Sequence, residues 1–315
     1  MKKIIALVLA LTMLGCLFVG CGSPETPADN SSDNVEATGA PEAETPTEQT
    51  DYASMTIEEL KPLIKTITSG KLTMVTSPDF APYEFYALDE NGNPSLAGFD
   101  IALGQYIADY LGLELEIVPM DFDGTIAELG TGKADIGMAG YSPDPDRENA
   151  MSFSMIYYAG GQSFVCHADN AANFTALSDA NKAEYQIGAQ IGSIQADLAK
   201  ENTPDADIVE LGKVTDIIAE VIGGKLDGAF IETVVAETYA KNYPELCVVL
   251  NVPYDQEGSV VGVNKNNPAL LAAVNLAIQA ALEDGSMSRF VAEANELSTG
   301  EKYEGLLEDG EVPVE

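Results

Sequence analysis

The sequence contains few of the residues that hold metal ions and little positive charge. It has one histidine, His167, four cysteines and no tryptophan. So few histidines and cysteines argue against a structural zinc site, and we predict neither a bound metal nor a cofactor. Fifteen basic residues stand against 51 acidic ones, for a formal net charge of -36. Such a chain repels phosphate backbones, which argues against nucleic acid as a partner, and the simplest effect of the charge is solubility.

The first residues have the pattern of a secretory signal. Lys2 and Lys3 precede an apolar run over residues 4–19. That run is too short, and flanked too unevenly, for a membrane span. We therefore predict a signal peptide over residues 1–20 and an extracytoplasmic location.

A cysteine closes this signal. The sequence FVGC at residues 18–21 resembles the lipobox of bacterial lipoproteins, so Cys21 is predicted to become a lipidated N-terminus that anchors the protein to the cell membrane. Several acyl chains on one cysteine would hold firmly, since one chain alone anchors only marginally. Two alternatives stay open: lipidation at Cys16, which ends the weaker match MLGC, and an ordinary cleaved signal with an incidental cysteine.

Residues 21–54 have the composition of a tether. They are rich in proline, threonine, serine, alanine and acid, and contain no lysine or arginine. Such a segment cannot bury a core, so we expect it to be disordered and self-repelling.

Order is expected from residue 55. Thr56 and Glu59 form a capping-box signal, and apolar residues follow at helical spacing, which predicts an N-terminal helix within residues 55–70. Beyond it, strand and helix patterns alternate in two runs of similar size. The predicted strands are 71–76, 115–119, 134–139, 164–167, 186–189, 207–211, 228–231, 247–250 and 260–263. The predicted helices are 101–111, 125–130, 194–201, 215–222, 233–242 and 269–283. This alternation indicates largely parallel α/β sheets in two lobes.

Several segments, in order along the chain, resemble one family. They are TSPDFAPYEF (76–85), AGFDIAL (97–103), MDFDG (120–124), GKADI (132–136), AGYS (139–142) leading to Asp146 and Arg147, GAQIGS (188–193) and GKLDGAFIE (224–232). Together they resemble the amino-acid-type solute-binding proteins of ATP-driven importers, the bacterial family 3 extracellular solute-binding proteins. The resemblance covers residues 71–285, and the C-terminal end lacks the aromatic-rich segment common in the family.

The resemblance implies a two-lobed, type II periplasmic-binding-protein-like α/β fold whose lobes are joined by two hinge crossovers. Lobe 1 would take residues 71–162 and 255–300, lobe 2 residues 163–252, and a tail residues 301–315. The crossovers would lie near 162–166 and 250–254. The implied function is capture of a small zwitterion, an L-amino acid, between closing lobes, and its delivery to an ABC permease by a monomer.

The resemblance also assigns residues of lobe 1 to the ligand carboxylate. Arg147 would grip it, since a guanidinium offers two parallel hydrogen bonds. Ser142 and the N–H of Gly140 would complete the cradle. The alternatives are a surface Arg147 paired with a neighbouring acid such as Asp144, and an ordinary Ser-Pro turn at Ser142.

Lobe 2 would receive the ligand ammonium. Glu232 lies where the family commonly has an aspartate for that purpose, and a buried ammonium needs such a partner. Ser193 and the backbone N–H of Ile194 would add donors. Helix N-capping explains Glu232 and Ser193 equally well.

Four further residues would surround the ligand side chain. Phe80 and Phe122 would sandwich its aliphatic part, or else belong to the core. Ser77 and Gln190 would read its end. Serine at 77, where relatives selective for basic or amide side chains often carry an acid, argues weakly against a cationic ligand, although Asp79 nearby leaves that possibility open.

Three questions stay open. The identity of the amino acid does not follow from the sequence. Cys166 and Cys247 lie near the predicted crossovers, either as a disulfide or as two thiols. A sensor subunit and a dehydratase-like enzyme are alternative functions on the same fold, although no nucleophile–base pair is visible.

Overall fold

The structure, a computed structural model, describes residues 50–88, 92–255 and 258–299. The predicted signal peptide, the lipidated Cys21, the tether up to residue 49 and the C-terminal tail lie outside the described residues.

Thirteen strands occur in this part of the chain. They are β1 (Lys71–Thr76), β2 (Asp79–Phe80), β3 (Glu84–Leu88), β4 (Pro94–Ala97), β5 (Glu114–Pro119), β6 (Ile136–Gly137), β7 (Met151–Tyr158), β8 (Gln162–His167), β9 (Gln186–Gln190), β10 (Asp207–Leu211), β11 (Gly228–Glu232), β12 (Leu246–Val252) and β13 (Ser259–Asn264).

Eight α-helices lie among these strands. They are α1 (Ile57–Leu60), α2 (Phe99–Leu111), α3 (Phe122–Gly130), α4 (Ile194–Asn202), α5 (Val214–Ile222), α6 (Thr233–Asn242), α7 (Pro268–Glu283) and α8 (Ser286–Ser298). Short 3₁₀ turns add Tyr52–Ser54, Lys61–Leu63, Pro145–Arg147, Ala168–Asn173 and Leu177–Asp179.

Two five-stranded sheets form the two lobes. The first has the order β5-β1-β6-β13-β7, in which β1 pairs parallel with β5 and β6, while β13 pairs antiparallel with β6 and β7. The second has the order β10-β9-β11-β8-β12, in which β9 pairs parallel with β10 and β11, while β8 pairs antiparallel with β11 and β12. A small antiparallel sheet, β2-β3-β4, accompanies the first lobe. Helices that follow parallel strands cover the sheets, as the alternating sequence pattern predicts.

The chain passes between the two sheets twice, after β7 and after β12. The predicted first crossover, near residues 162–166, was wrong, because those residues form β8, which hydrogen bonds to β11 and β12. The first crossover is the short link from Tyr158 to Gln162, which contains Gly160 and Gly161. The second runs from Val252 to Ser259, so its predicted position was a few residues early.

The N-terminal helix is much shorter than predicted. Its capping box forms, with the Thr56 N–H donating to a Glu59 carboxylate oxygen at 2.8 Å. The α-helix then ends at Leu60 and continues as a single 3₁₀ turn that contains Pro62. Proline lacks an N–H and its ring clashes with the carbonyl four residues earlier, so the helical spacing beyond it does not extend the helix.

Five elements of the first lobe were missed and one was predicted too long. The missed elements are β2, β3, β4, β7 and α8, and the predicted strand 134–139 is reduced to Ile136–Gly137. The strand β7 carries buried Met151 and Tyr157 but exposed Met155 and Ile156, so it lacks the regular alternation that marks a strand in sequence.

Buried apolar residues pack on both sheets. Under the first sheet, Leu72 of β1, Leu103 of α2 and Leu270 of α7 belong to one fully buried cluster. In the second lobe, the rings of Phe164 and Phe230 lie 5.4 Å apart, edge to face, within another cluster.

The two lobe 2 cysteines face each other across β8 and β12. Cys166 and Cys247 are direct cross-strand partners and are both free thiols, Cys166 buried and Cys247 half-buried. Burial, and secondarily the charge of Cys247, raises the pKa of the Cys166 thiol to about 11.

Candidate ligand-binding site between the two lobes

Arg147 lies buried where the lobes meet. The 3₁₀ turn that carries it is capped by Asp144, whose carboxylate accepts from the Asp146 N–H at 2.9 Å. The Arg147 side chain is 8% exposed, and its Nη2 donates to the carbonyl of Gly192 in lobe 2 at 3.0 Å. Its Nε lies 3.6 Å from Asp144, so the alternative pairing with a neighbouring acid is present as well. A guanidinium has five donors, and these two contacts leave others for a ligand.

The guanidinium also lies over an aromatic ring. Its central carbon is 5.5 Å from the centre of the Phe122 ring. Burial lowers the pKa of Arg147, and the Asp144 carboxylate opposes that shift. Arginine nevertheless stays charged in proteins, so the cleft contains a fixed cation.

The backbone N–H of Gly140 forms a hydrogen bond within the first lobe. It donates to the Asp100 carboxylate at 3.1 Å, so the ligand-donor role of this amide stays a prediction. The residue has φ +58°, and a Cβ there would lie 2.6 Å from the Phe80 ring. Glycine is therefore required for the left-handed backbone and for the ring. Ser142, two residues on, is buried.

Two buried carboxyl groups lie behind this loop. Asp100 also accepts from the Tyr157 hydroxyl at 2.7 Å, and burial raises its pKa to about 6 against these hydrogen bonds. Glu84 is completely buried, and desolvation followed by the charge of Asp100 raises its pKa well above the usual range.

Glu232 lies at the end of β11 and caps α6. One carboxylate oxygen accepts from the Val235 N–H at 3.0 Å, as the N-cap alternative predicts. The other lies 3.4 Å from the Tyr83 hydroxyl, which also hydrogen bonds to Ser259 at 2.9 Å. Burial raises the pKa of Glu232 to about 7, with nearby backbone N–H groups acting in the opposite direction. The assignment to a ligand ammonium stays a prediction.

Sequence reasoning missed Tyr83, Ser259 and Gly160 around this carboxylate. A Cβ at Gly160 would lie 2.6 Å from Glu232 Oε1, so the glycine of the first crossover gives the longer glutamate its room. The glycine pair in the sequence was a readable signal for this close approach.

Ser193 and Ile194 begin α4. The Ser193 hydroxyl donates to the Gln190 carbonyl at 2.7 Å and accepts from the Ala196 N–H at 3.3 Å, which is the N-cap arrangement. Ile194 occupies the first helical position, where backbone N–H groups have no partner within the helix.

Phe80 and Phe122 are both buried on the lobe 1 side. The Phe80 ring lies 5.4 Å from that of Tyr83, and the Phe122 ring lies 5.7 Å from that of Tyr141. Each therefore packs on the lobe 1 core while lying next to predicted cleft residues, Gly140 and Arg147 respectively.

Ser77 and Gln190 both donate hydrogen bonds to the side chain of Asp79. Ser77 Oγ donates to one oxygen of Asp79 at 2.9 Å, and Gln190 Nε2 donates to the other at 3.2 Å. The N–H of Val214, at the start of α5, also donates to Asp79. Burial raises the pKa of Asp79 to about 6. In the sequence, only the position of Asp79 two residues after Ser77 indicated that this carboxyl group would lie near the predicted site.

The described structure is closed, because the lobes hydrogen bond to each other directly. Arg147 and Asp79 of lobe 1 contact Gly192 and Gln190 of lobe 2, and the Tyr239 hydroxyl donates to the Asp79 carbonyl at 3.0 Å. Nine of the ten predicted site residues are buried and Gly140 is half-buried. The buried ones are Ser77, Phe80, Phe122, Ser142, Arg147, Gln190, Ser193, Ile194 and Glu232. Their joint role in binding a ligand stays a prediction.

Metal chemistry and membrane insertion find no support in this part of the chain. Across residues 50–88, 92–255 and 258–299, no group of three or more His, Cys, Asp or Glu side chains is placed to hold a metal ion. Within the same ranges, no helix combines the length and hydropathy that crossing a bilayer requires.

Two α/β lobes, two crossovers and a buried cation and carboxyl group from opposite lobes define a protein that closes around a small solute. The family model of the bacterial extracellular solute-binding proteins, family 3, matches residues 72–293, and the chain belongs to this family. The fold class, the family and the general function predicted from the sequence, an extracytoplasmic solute-binding protein of the amino-acid type, are confirmed.

Relatives agree with this assignment. The arginine-binding extracellular protein ArtP of Bacillus subtilis is 29% identical over 236 residues, which span 74% of this chain and 88% of that protein. The crystal structure of AbpA, an amino acid ABC transporter substrate-binding protein of Streptococcus pneumoniae bound to L-arginine, has a TM-score of 0.71 and 31% identity, covering 78% of this chain and all of that one. A cyclohexadienyl dehydratase of Pseudomonas aeruginosa is 26% identical over 197 residues, 62% of this chain and 72% of the enzyme.

Proposed function

We propose that the protein binds one L-α-amino acid between its lobes and delivers it to an ABC importer. The observation that carries the proposal is that both groups are buried at the boundary between the lobes, Arg147 of lobe 1 against Gly192 of lobe 2 and Glu232 of lobe 2 against Tyr83 of lobe 1. An α-amino acid has a carboxylate and an ammonium on one carbon, and these two side chains supply one partner for each.

Closure follows from the same arrangement. Because the poles come from different lobes, only the closed form offers both to one ligand, and the ligand shifts the population toward that form. Ser142, Ser193 and the N–H of Ile194 are proposed to add hydrogen bonds, with Phe80 and Phe122 against the aliphatic part.

Binding to a panel of free amino acids tests this function. Ligand-stripped full-length protein should gain thermal stability from at least one L-amino acid, by about 2.7 kcal/mol at a hundred times its dissociation constant. L-Arginine is the first ligand to test, because the names of two of the relatives above carry it. If no amino acid in the panel shifts the transition, the proposal fails.

We propose that the protein binds its amino acid without converting it chemically. The second candidate, a dehydratase, rests on Glu232, since a buried carboxyl group with a pKa raised to about 7 is a possible proton donor, and on the dehydratase relative. Incubation with a cyclohexadienyl carboxylic acid, followed by absorbance of an aromatic product, separates the two. Product formation that Glu232→Gln abolishes would replace the binding proposal by the enzymatic one.

We also propose that lipidation at Cys21 holds a monomer at the membrane surface. The support is the FVGC sequence after the apolar run. Labelling with a radioactive fatty acid in a bacterial host should be lost in Cys21→Ala and kept in Cys16→Ala. Loss in Cys16→Ala alone would move the site, and an unlabelled parent would contradict the anchor.

A further inference from the structure

Two cysteines lie opposite each other on neighbouring strands of the second lobe. Cys166 of β8 and Cys247 of β12 are direct antiparallel partners. Directly opposite residues of such a strand pair point to the same face of the sheet, with Cα atoms about 4.5–5.5 Å apart. A disulfide needs Cα atoms about 4.4–6.8 Å apart and side chains that do not diverge. The register of the two strands therefore meets the spacing that a disulfide requires.

The surroundings of the two thiols point to no other chemistry. Cys166 is completely buried, and Cys247 is half-buried. Each thiol donates only weakly, to a backbone carbonyl of its own strand, at 3.3 Å for Cys166 and 3.7 Å for Cys247. Within residues 50–88, 92–255 and 258–299, neither belongs to a cluster that could hold a metal ion.

The pair also lies away from the cleft. Cys166 is four residues along β8 from Gln162, which pairs with Glu232 at the cleft end of β11. Burial, and secondarily Cys247, raises the pKa of Cys166, so the two sulfur atoms are close enough to influence each other. These observations leave the pairing of the two thiols as the role that the structure supports.

Strand β12 is the element that a covalent link would fasten. It stands at the edge of the second sheet, beside β8, and its register shifts between Val248 and Leu250. It leads directly into the second crossover after Val252. An edge strand with an irregular register is held by one neighbour only, so a bond at Cys247 would fix it where backbone pairing alone is weakest.

We propose that Cys166 and Cys247 form a disulfide after export, and that this bond staples the edge strand β12 to the second sheet. The bond would close the loop 166–247, which contains β9 to β11 and α4 to α6. Closing so long a loop stabilises a fold mainly by restricting the unfolded chain. The proposal rests on the extracellular location of the family, where disulfides persist, and is independent of which solute the cleft binds.

The bond would form by exchange with an external disulfide, either a small oxidised thiol or an oxidoreductase. The thiolate of Cys247, the more exposed cysteine, attacks one sulfur of that disulfide, and the released thiolate takes up a proton. Cys166 then loses its proton and attacks the Cys247 sulfur of the mixed disulfide, which expels the second thiol. The two cysteines lose two protons and two electrons in total, and the external disulfide is reduced to two thiols.

Oxidised glutathione added to the reduced full-length protein tests the proposal. After free thiols are blocked, tryptic peptides 148–182 and 242–265, which carry Cys166 and Cys247, should remain joined. Cys16 and Cys21 both precede Lys65, so they fall in a different peptide. The oxidised protein should melt about 5 °C or more above the reduced one, and a phosphine reductant should reverse the difference.

Single variants show which thiols are responsible. Cys166→Ala and Cys247→Ala should each melt at the same temperature with and without the oxidant. Cys21→Ala is the control and should keep the difference seen in the parent. Since the parent is compared with itself in two redox states, the test also stands if a variant fails to fold.

Three outcomes would overturn the proposal. The first is that peptides 148–182 and 242–265 stay separate, with both thiols blocked. The second is glutathione that remains on Cys247 without exchange to Cys166. The third is a joined pair of peptides with no rise in melting temperature, which would remove the stapling role. None of them bears on amino-acid binding, which the ligand panel tests separately.

Discussion

The guanidinium of Arg147 has two partners in the closed structure, Asp144 at 3.6 Å and the Gly192 carbonyl at 3.0 Å. The first is in its own lobe and the second in the other. The contact with Asp144 lies within one lobe and can orient the guanidinium before a ligand enters, so less side-chain entropy is lost on binding, whereas the contact with Gly192 forms only on closure. Glu232 is held similarly, by the N-terminus of α6 and by Tyr83.

Removal of either Arg147 or Glu232 should weaken ligand binding. Arg147→Ala should weaken binding of the identified amino acid by about 2–5 kcal/mol, because a desolvated carboxylate loses its partner. Calorimetry gives the value directly. Arg289→Ala is the control, because Arg289 is exposed on α8 and pairs with Glu293. Binding by Arg147→Ala within about threefold of the parent would remove this residue from the site.

For the other pole, Glu232→Gln keeps the shape of the side chain and removes its charge. It should weaken binding strongly, since the ligand ammonium loses its anion. The matched control is Glu237→Gln, an exposed glutamate on the same helix α6. Equal affinities of the two variants would contradict the assignment.

Among the elements, α7 carries much of the first lobe. It begins at Pro268, behind Asn267, whose side chain accepts from the Leu270 N–H. Proline suits the first helical position because its missing N–H would have no partner there. One face of the helix is buried with α2 and β1, while Leu282 near its end is 43% exposed.

The two faces of α7 should respond differently to the same substitution. Leu270→Ala should lower the free energy of unfolding by about 2–5 kcal/mol, because it leaves a cavity in a packed core. Leu282→Ala should change it by about 0.5 kcal/mol or less, since that side chain already contacts water. Urea denaturation of both variants measures the difference, and similar values would mean that α7 does not pack as described.

Acidic residues outnumber basic ones both in the whole sequence and among the buried side chains. The formal net charge of the protein is -36, and its buried carboxyl groups include Asp79, Asp100 and Glu232, whose pKa values burial raises to about 6, 6 and 7. Their ordinary values are 3.8, 3.8 and 4.5. At pH values between the ordinary and the raised pKa values, these carboxyl groups are protonated in the folded protein but ionised in the unfolded chain. The free energy of unfolding therefore falls as the pH rises through this window.

The empty protein should accordingly melt at a higher temperature near pH 5 than near pH 7.5. Exposed carboxyl groups with lowered pKa, such as Asp179 and Asp284, reverse the trend only at more acidic pH. Calorimetric scans of ligand-stripped protein measure the slope, which Glu232→Gln should flatten and Glu237→Gln should retain. A melting temperature that rises toward pH 7.5 would contradict the buried, uncompensated carboxyl groups.

Local patterns in the sequence determined most of the helices and strands. Strand β1 was predicted with its observed bounds, and α7 differs from its prediction by one residue, because both have clear apolar periodicity. The family motifs also singled out Arg147 and Glu232, both of which are buried in the structure. Proline at position 62, a readable stop signal, was outweighed by the helical spacing around it, which made the N-terminal helix too long.

Contacts between distant segments were decided by the tertiary structure alone. Asp79 and Gln190 are 111 residues apart in the chain, and Tyr83 and Glu232 are 149 apart. Periodicity reports which face of an element is apolar, but it carries no information on which polar groups of two lobes will meet. Gly140 shows the same limit, because its amide is bound to Asp100 only once α2 and the loop after β6 pack together. The hydrogen-bond partners of buried polar groups are set by packing, and packing is a property of the folded chain.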